Sequence, residues 1–305
     1  MLPFLIRRIS LGVLTLFVVI SLTFLMLFLM PSSPFTKERN LPKHIEQSLL
    51  VKYRLNGTPW EQYTRYIAHV AQGDLGPSTR YRARTVNEII GQTLPVSLQL
   101  GSIAFIIALG SGITLGSISA VGRKTWKDQA AMLVAVLSIS IPTFVIAPLA
   151  ILIFALMWNI LPVAGWGSWK QVLLPAICLA LPYSAYVARL TRTSMVEVLN
   201  QDFIRTARAK GLGEMRIVVK HALKVALLPV VSFAGPLAAN LLTGSFVVEE
   251  IFKIPGIGPF FVNGVMNVDH FLVGGVVIVY SSLLIAFNIV VDILYTMLDR
   301  RIKLA

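Results

Sequence analysis

The feature that most constrains this chain is the length of its uncharged runs. Residues 9–30 carry no charge over 22 positions. As a helix, that run is about 33 Å long, enough to cross a hydrocarbon layer of about 30 Å. Further apolar runs of spanning length lie at 94–121, 129–158, 172–188, 225–248 and 271–297, and only the last holds a charge, Asp292. Inside lipid every backbone N–H and C=O must be satisfied within its own segment, so such runs fold as helices. They describe an all-α, polytopic membrane protein with six transmembrane helices. The composition agrees, with 13% charged residues against about 25% in a soluble domain.

The distribution of Lys and Arg sets the expected direction. Six spans put both termini on one side. The N-terminus, the gaps at 122–128 and 189–224, and the tail then share a face that carries sixteen Lys/Arg. The two short gaps on the other face carry only Lys170 and Lys253. The positive-inside rule places the sixteen, and both termini, in the cytoplasm. The chain divides into the N-terminus and first span (1–30), an extracytoplasmic segment (31–93), a five-helix core (94–298) with a cytoplasmic loop at about 190–224, and a tail (299–305). The first run is too long for a cleaved leader and lacks a small-x-small site, which makes it a retained signal anchor. The net charge of +13 does not indicate nucleic acid, because no polar domain exists to carry a binding groove.

Within 31–93, Pro31, Pro34, Pro42 and Pro59 break regular structure. EQYTRYIAHVAQG at 61–73 is patterned as a short amphipathic helix, with Tyr63, Tyr66, Ile67 and Val70 on one side. Asn56-Gly57-Thr58 matches a glycosylation sequon. Aromatics and arginines in this segment, Tyr81, Arg82 and Arg84 among them, suit a contact surface.

Catalytic chemistry is missing from the pattern. His44, His69, His221 and His270 have no metal-ligand spacing with a second His or Cys. No pair of carboxylates shares a helix face in the spans, and the lone Cys178 sits in an apolar run as a small hydrophobe. No catalytic, cofactor-binding or metal residue is expected. Gly112 and Gly116 form a G-x-x-x-G pair suited to close helix packing. Glu249 and Glu250 close the fifth run at the outer interface, and Asp292 lies in the inner half of the sixth. Pro142, Pro148, Pro175, Pro182, Pro229 and Pro236 fall inside the runs, where each can bend its helix.

The stretch between the fourth and fifth runs differs from the rest. It divides at Gly211-Leu212-Gly213 into two short helical patterns. Val198, Phe203, Ile204 and Ala207 tend to one side before the turn. Ile217, Val218 and Leu223 do so after it, opposite Arg216, Lys220 and Lys224. A basic amphipathic stretch can lie on anionic headgroups. Alternatively, the small residues Ala207, Ala209 and Gly211 permit close approach by another protein surface.

Arg205-Thr206-Ala207 followed by Gly211 resembles the cytoplasmic loop of binding-protein-dependent ABC importer permeases. The family pattern is Glu-Ala-Ala, three residues, Gly, then nine residues before Ile-x-Leu-Pro. Here Arg205 stands in place of the Glu and Lys224 in place of the final Pro, while Leu223 keeps its position. DFIRTARAKGL at 202–212 is similar to the version in the peptide, nickel and glutathione branch. GDLGPS at 73–78, IPTF at 141–144 and EEIFKIPGIG at 249–258 match that branch too. PSSPFTKERNLP at 31–42 looks most like the B-type membrane subunit of oligopeptide permeases.

The resemblance implies a six-span, non-catalytic permease subunit in a bacterial inner (plasma) membrane, forming half of a peptide pathway. Its implied partners are a second homologous permease subunit, two ATPase subunits that bind ATP and Mg, an extracytoplasmic peptide-binding protein, and the bilayer. The implied ATPase-coupling residues are Arg205, Thr206, Ala207, Ala209, Lys210, Gly211 and Leu212. Oligopeptides are the expected substrate. Dipeptides, glutathione, nickel chelates and antimicrobial peptides are the alternatives within the branch, and a stand-alone secondary transporter is the alternative outside it.

Overall fold

The computed structural model describes residues 2–29, 51, 56–81 and 83–298, so the 31–42 motif, Arg82 and the basic tail lie outside the described residues. The regular structure among the described residues is helical, apart from an isolated antiparallel bridge between Pro77 and Thr85. In chain order the helices are α1 (Leu2–Leu29), α2 (Pro59–Ala71), α3 (Val86–Val121), α4 (Trp126–Ser140) and α5 (Thr143–Ala150, continuing as a π-helix over Ile151–Met157). They continue with α6 (Trp169–Leu199), α7 (Asp202–Ala209) and α8 (Glu214–Arg216, then a π-helix over Ile217–Ala222, then Leu223–Ala226). The last are α9 (Leu228–Thr243), α10 (Phe246–Ile251), α11 (Ile257–Met266) and α12 (His270–Leu298). Two compact units result, one of residues 1–97 with 255–305 and one of residues 98–254.

Among the described residues, five segments are long and apolar enough to span a bilayer: Ile6–Leu29, Val86–Val121, Trp169–Leu199, Leu228–Ile251 and His270–Ile293. The expected third span is not one helix. It is α4 and α5, bent by 109° at their junction, which makes a broken span or a re-entrant loop. The cause is Pro142. Its ring pushes the preceding residue out of the helical region, and Ile141 is extended, at φ −96° and ψ 123°. Pro148, Pro175, Pro182 and Pro236 instead lie inside continuous helices, and Pro229 sits in the first turn of α9.

In the first unit, α1 packs along α12, and Arg8 pairs with Asp292. Helix α2 forms two residues earlier than its apolar pattern alone indicates, because Thr58 and Glu61 make a reciprocal capping box and Pro59 suits the first turn. Its apolar side lies against α1. Phe24 meets the rings of Tyr63 and Tyr66 at 5.3 and 5.5 Å, and Ser21 Oγ is 2.7 Å from the Tyr63 hydroxyl. Burial pushes the Tyr66 hydroxyl up to about 12. The GDLGPS stretch is a tied loop: the Ser78 hydroxyl and the Arg80 backbone N–H both donate to the fully buried Asp269. Tyr81 is half-buried against Phe260, with ring centroids 5.1 Å apart, and is not the exposed aromatic that the sequence suggests.

In the second unit, α3 and α6 meet along the Gly112–Gly116 pair. A Cβ at Gly116 would lie 2.5 Å from the Ala188 carbonyl oxygen, and one at Gly112 would lie 2.6 Å from Val187 Cβ. The pair therefore packs helices, as its spacing predicts. Glu249 is fully buried on α10, where it accepts a hydrogen bond from Ser245, so its carboxylate does not lie on the exposed surface of this chain.

Candidate functional site

Helix α6 has 31 residues, about 46 Å of helix, so roughly 15 Å is left over after a ~30 Å hydrocarbon layer is crossed. The last turns carry the loop that holds the sequence-predicted residues. Met195 and Val198 of α6, with Ala120 at the end of α3, pack with Ile204, Ala207, Ile217, Ala222 and Ala226 in one buried cluster. The loop is thus seated on its own apolar core. Ile204 is fully buried while its neighbour Phe203 is exposed, because the helix register begun at Asp202 turns Phe203 outward.

Helix α7 ends in a complete glycine cap. The Gly211 N–H donates to the Arg208 carbonyl at 2.9 Å, and the Leu212 N–H donates back to the Ala207 carbonyl at 3.3 Å. Those are the two bonds of a Schellman motif, and its apolar contact is present as Leu212 packed on the cluster. Gly211 takes φ +75°, the left-handed conformation that glycine adopts without a Cβ penalty. A Cβ there would meet no atom of this chain within 4 Å.

The expected residues do not all face one way. Arg205, Thr206, Ala209, Lys210 and Gly211 are exposed, and Leu212 is half-buried. Ala207 is only 7% exposed and points into the cluster. Its small side chain serves packing beneath the loop, which corrects the expectation that it forms part of the outer surface. The outer face is basic, with Arg205 and Lys210 beside the small residues Ala209 and Gly211.

Sequence reasoning missed two pairs here. Arg208 grips Glu214 across the turn, Nε to Oε1 at 2.7 Å and Nη2 to Oε2 at 3.3 Å. The Arg208 guanidinium holds the Glu214 carboxyl below the usual carboxylate range, and the carboxylate in turn raises Arg208. Opposite charges flanking a Gly-Leu-Gly turn were the available signal. Second, Asp128 at the start of α4 accepts from Arg192 of α6 through Nε and Nη2, at 2.7 and 2.8 Å. No local pattern announces a partner 64 residues away.

These side chains form a basic knob seated on the apolar cluster. Its likeness to known proteins is extensive. Residues 112–304 match the family model described as "Binding-protein-dependent transport system inner membrane component". The oligopeptide transport system permease protein OppB of Escherichia coli (strain K12) is 45% identical over 305 residues, covering 99% of this chain and 100% of that protein. OppB of Haemophilus influenzae (strain ATCC 51907 / DSM 11121 / KW20 / Rd) is 42% identical over 305 residues, with the same shares covered. The dipeptide transport system permease protein DppB of Bacillus subtilis (strain 168) is 44% identical over 290 residues, 95% of this chain and 94% of that protein. The match to the family model covers more than half of the sequence and the relatives match it nearly end to end: the chain belongs to the family of binding-protein-dependent transport system inner membrane components.

Proposed function

We propose that this chain is one of two membrane subunits of an ATP-driven importer that carries peptides, oligopeptides before dipeptides, across the bacterial inner membrane. A second related permease subunit completes the pathway. Two ATPase subunits bind ATP and Mg, and an extracytoplasmic binding protein delivers the peptide. The chain itself supplies no catalytic group. The end-to-end identity with oligopeptide permeases is the observation that carries this reading. Helix α7 is the piece that enters the ATPase: Arg205, Thr206, Ala209, Lys210 and Gly211 form its contact face, and Ala207 and Leu212 seat it on α6. ATP-driven closure of the ATPases moves α7 as a lever and turns the pathway outward. Both termini and the 189–224 stretch face the cytoplasm on this reading, and the basic character of those segments supports it.

Uptake in cells lacking this chain is the test. Accumulation of a labelled tripeptide should be lost and should return with the parent chain, and unlabelled oligopeptides should compete better than dipeptides. Gly211→Trp, at matched membrane level, should restore uptake about tenfold less well, as a docking loss of about 1.4 kcal/mol would give. The cost inside the chain is modest, about 1 kcal/mol for a side chain at positive φ, and a Cβ there meets no atom of this chain within 4 Å. Normal uptake and normal ATPase association in this variant would remove α7 from the coupling role. Preferential competition by dipeptides would move the substrate to that class.

A further inference from the structure

We propose that Asp128 and Arg192 are positioning residues that lock the root of the α7 loop to α3 and α4, so that displacement of α7 is carried into the helix bundle instead of being absorbed at the loop's base. This rests on α7 being the ATPase-facing helix.

Asp128 is 6% exposed, yet every approach to its carboxylate is filled. Besides the two Arg192 bonds, it accepts from Ser119 Oγ of α3 at 2.5 Å and from the Lys124 backbone N–H at 3.1 Å. One carboxylate therefore joins α3, the α3–α4 turn, α4 and α6. Lys124 holds φ +67°. A lysine adopts that left-handed conformation only where surrounding bonds compel it, and the bond to Asp128 is one of them.

Position along α6 connects this clasp to the loop. Arg192 lies one turn before Met195 and two before Val198, the residues on which Ile204, Ala207 and Ile217 pack. On its other side, Gly116 sits against the backbone of Ala188 and Arg192. Glycine seam, ion pair and apolar cluster follow one another down the same stretch of α6. Stability alone explains the pair poorly: Asp128 is buried but Arg192 is only half-buried, exposed ion pairs contribute little, and exchanging buried ones for apolar residues of similar size is often neutral or stabilising. A bidentate pair does fix relative angle and register, which an apolar contact leaves free to slide.

The experiment uses the assembled transporter in liposomes, with labelled tripeptide uptake and ATP hydrolysis measured together. The double variant Asp128→Leu with Arg192→Met removes both charges and leaves none unpaired. It should assemble and hydrolyse ATP, with a lower melting temperature from the acceptor lost to Ser119 and Lys124, while tripeptide transported per ATP falls about fivefold or more. Arg192→Lys keeps the charge but loses the fork, and should fall between parent and double variant. A parental transport-to-hydrolysis ratio in the double variant, or in Arg192→Lys should the double variant not assemble, would overturn the proposal. If Gly211→Trp is uncoupled while the Asp128/Arg192 variants keep the parental ratio, the clasp alone is wrong. If Gly211→Trp keeps normal uptake and normal ATPase association, the lever reading falls and the clasp's role falls with it.

Discussion

Gly211 and Glu214 hold the end of α7 by different means, one through backbone conformation and one through charge. The Glu214 carboxyl is held below its ordinary range by Arg208. A group whose folded value is depressed contributes above its unfolded value, about 4.3 for glutamate, and loses that contribution as pH falls through the folded value. The tether is therefore constant between pH 8 and 5 and fails only in stronger acid. A spin label at the exposed Met215 should give one spectrum across pH 8 to 5 and a more mobile one only in acid below glutamate's ordinary value of about 4.3. Glu214→Gln should be mobile throughout; an identical, immobile spectrum in that variant would remove the tether. The sequence shows Gly211 as a helix stop, because a glycine after a periodic pattern has few other uses. It does not show the Arg208–Glu214 grip, which exists only once the turn has brought residues six apart face to face. Ala207 is ambiguous in the sequence for a similar reason: its direction depends on where α7 begins.

At the scale of the helices, charge-free length carries nearly all the information. Each expected span corresponds to one helix, except that 225–248 falls on α9 and α10 in succession and 129–158 on the bent α4–α5 pair. The break at Ile141 was hidden because six in-span prolines look alike in sequence. Only Pro142 stands where the helix ahead of it ends in an extended residue; at Pro175 and Pro182 the helix runs on. The Gly112–Gly116 seam gives the sharpest element-scale test. Gly116→Val would drive a branched side chain toward the Ala188 carbonyl and Thr191. Overpacking of this kind costs about 1–3 kcal/mol or more, and the purified protein should melt several degrees lower. Gly110→Ala is the matched control, since a Cβ there meets nothing within 4 Å, and its melting temperature should equal or exceed the parent's. An unchanged melting temperature for Gly116→Val would mean that the helices are not in contact there.

For the molecule as a whole, orientation is the property the proposed mechanism most depends on. A cysteine at Ala209, exposed on α7, should react with an impermeant maleimide only in inverted vesicles. A cysteine at Gln72, exposed after α2, should react in intact spheroplasts. Labelling of the Ala209 site from outside would reverse the topology and end the lever model. The division into two units was not legible beforehand, because each span looks self-sufficient in sequence. What joins the first to the last is a pair of carboxylates, Asp269 and Asp292, whose partners Ser78, Arg80 and Arg8 lie some two hundred residues or more earlier. That arrangement has a consequence in time. The first unit is interrupted by the 157 residues of the second, and at about 5–20 residues per second the ribosome needs roughly 8–30 s to make them. Throughout that interval α1 and the loop at Ser78 are already synthesised but lack their closing partners, so helices made before the second unit wait until after it to finish folding.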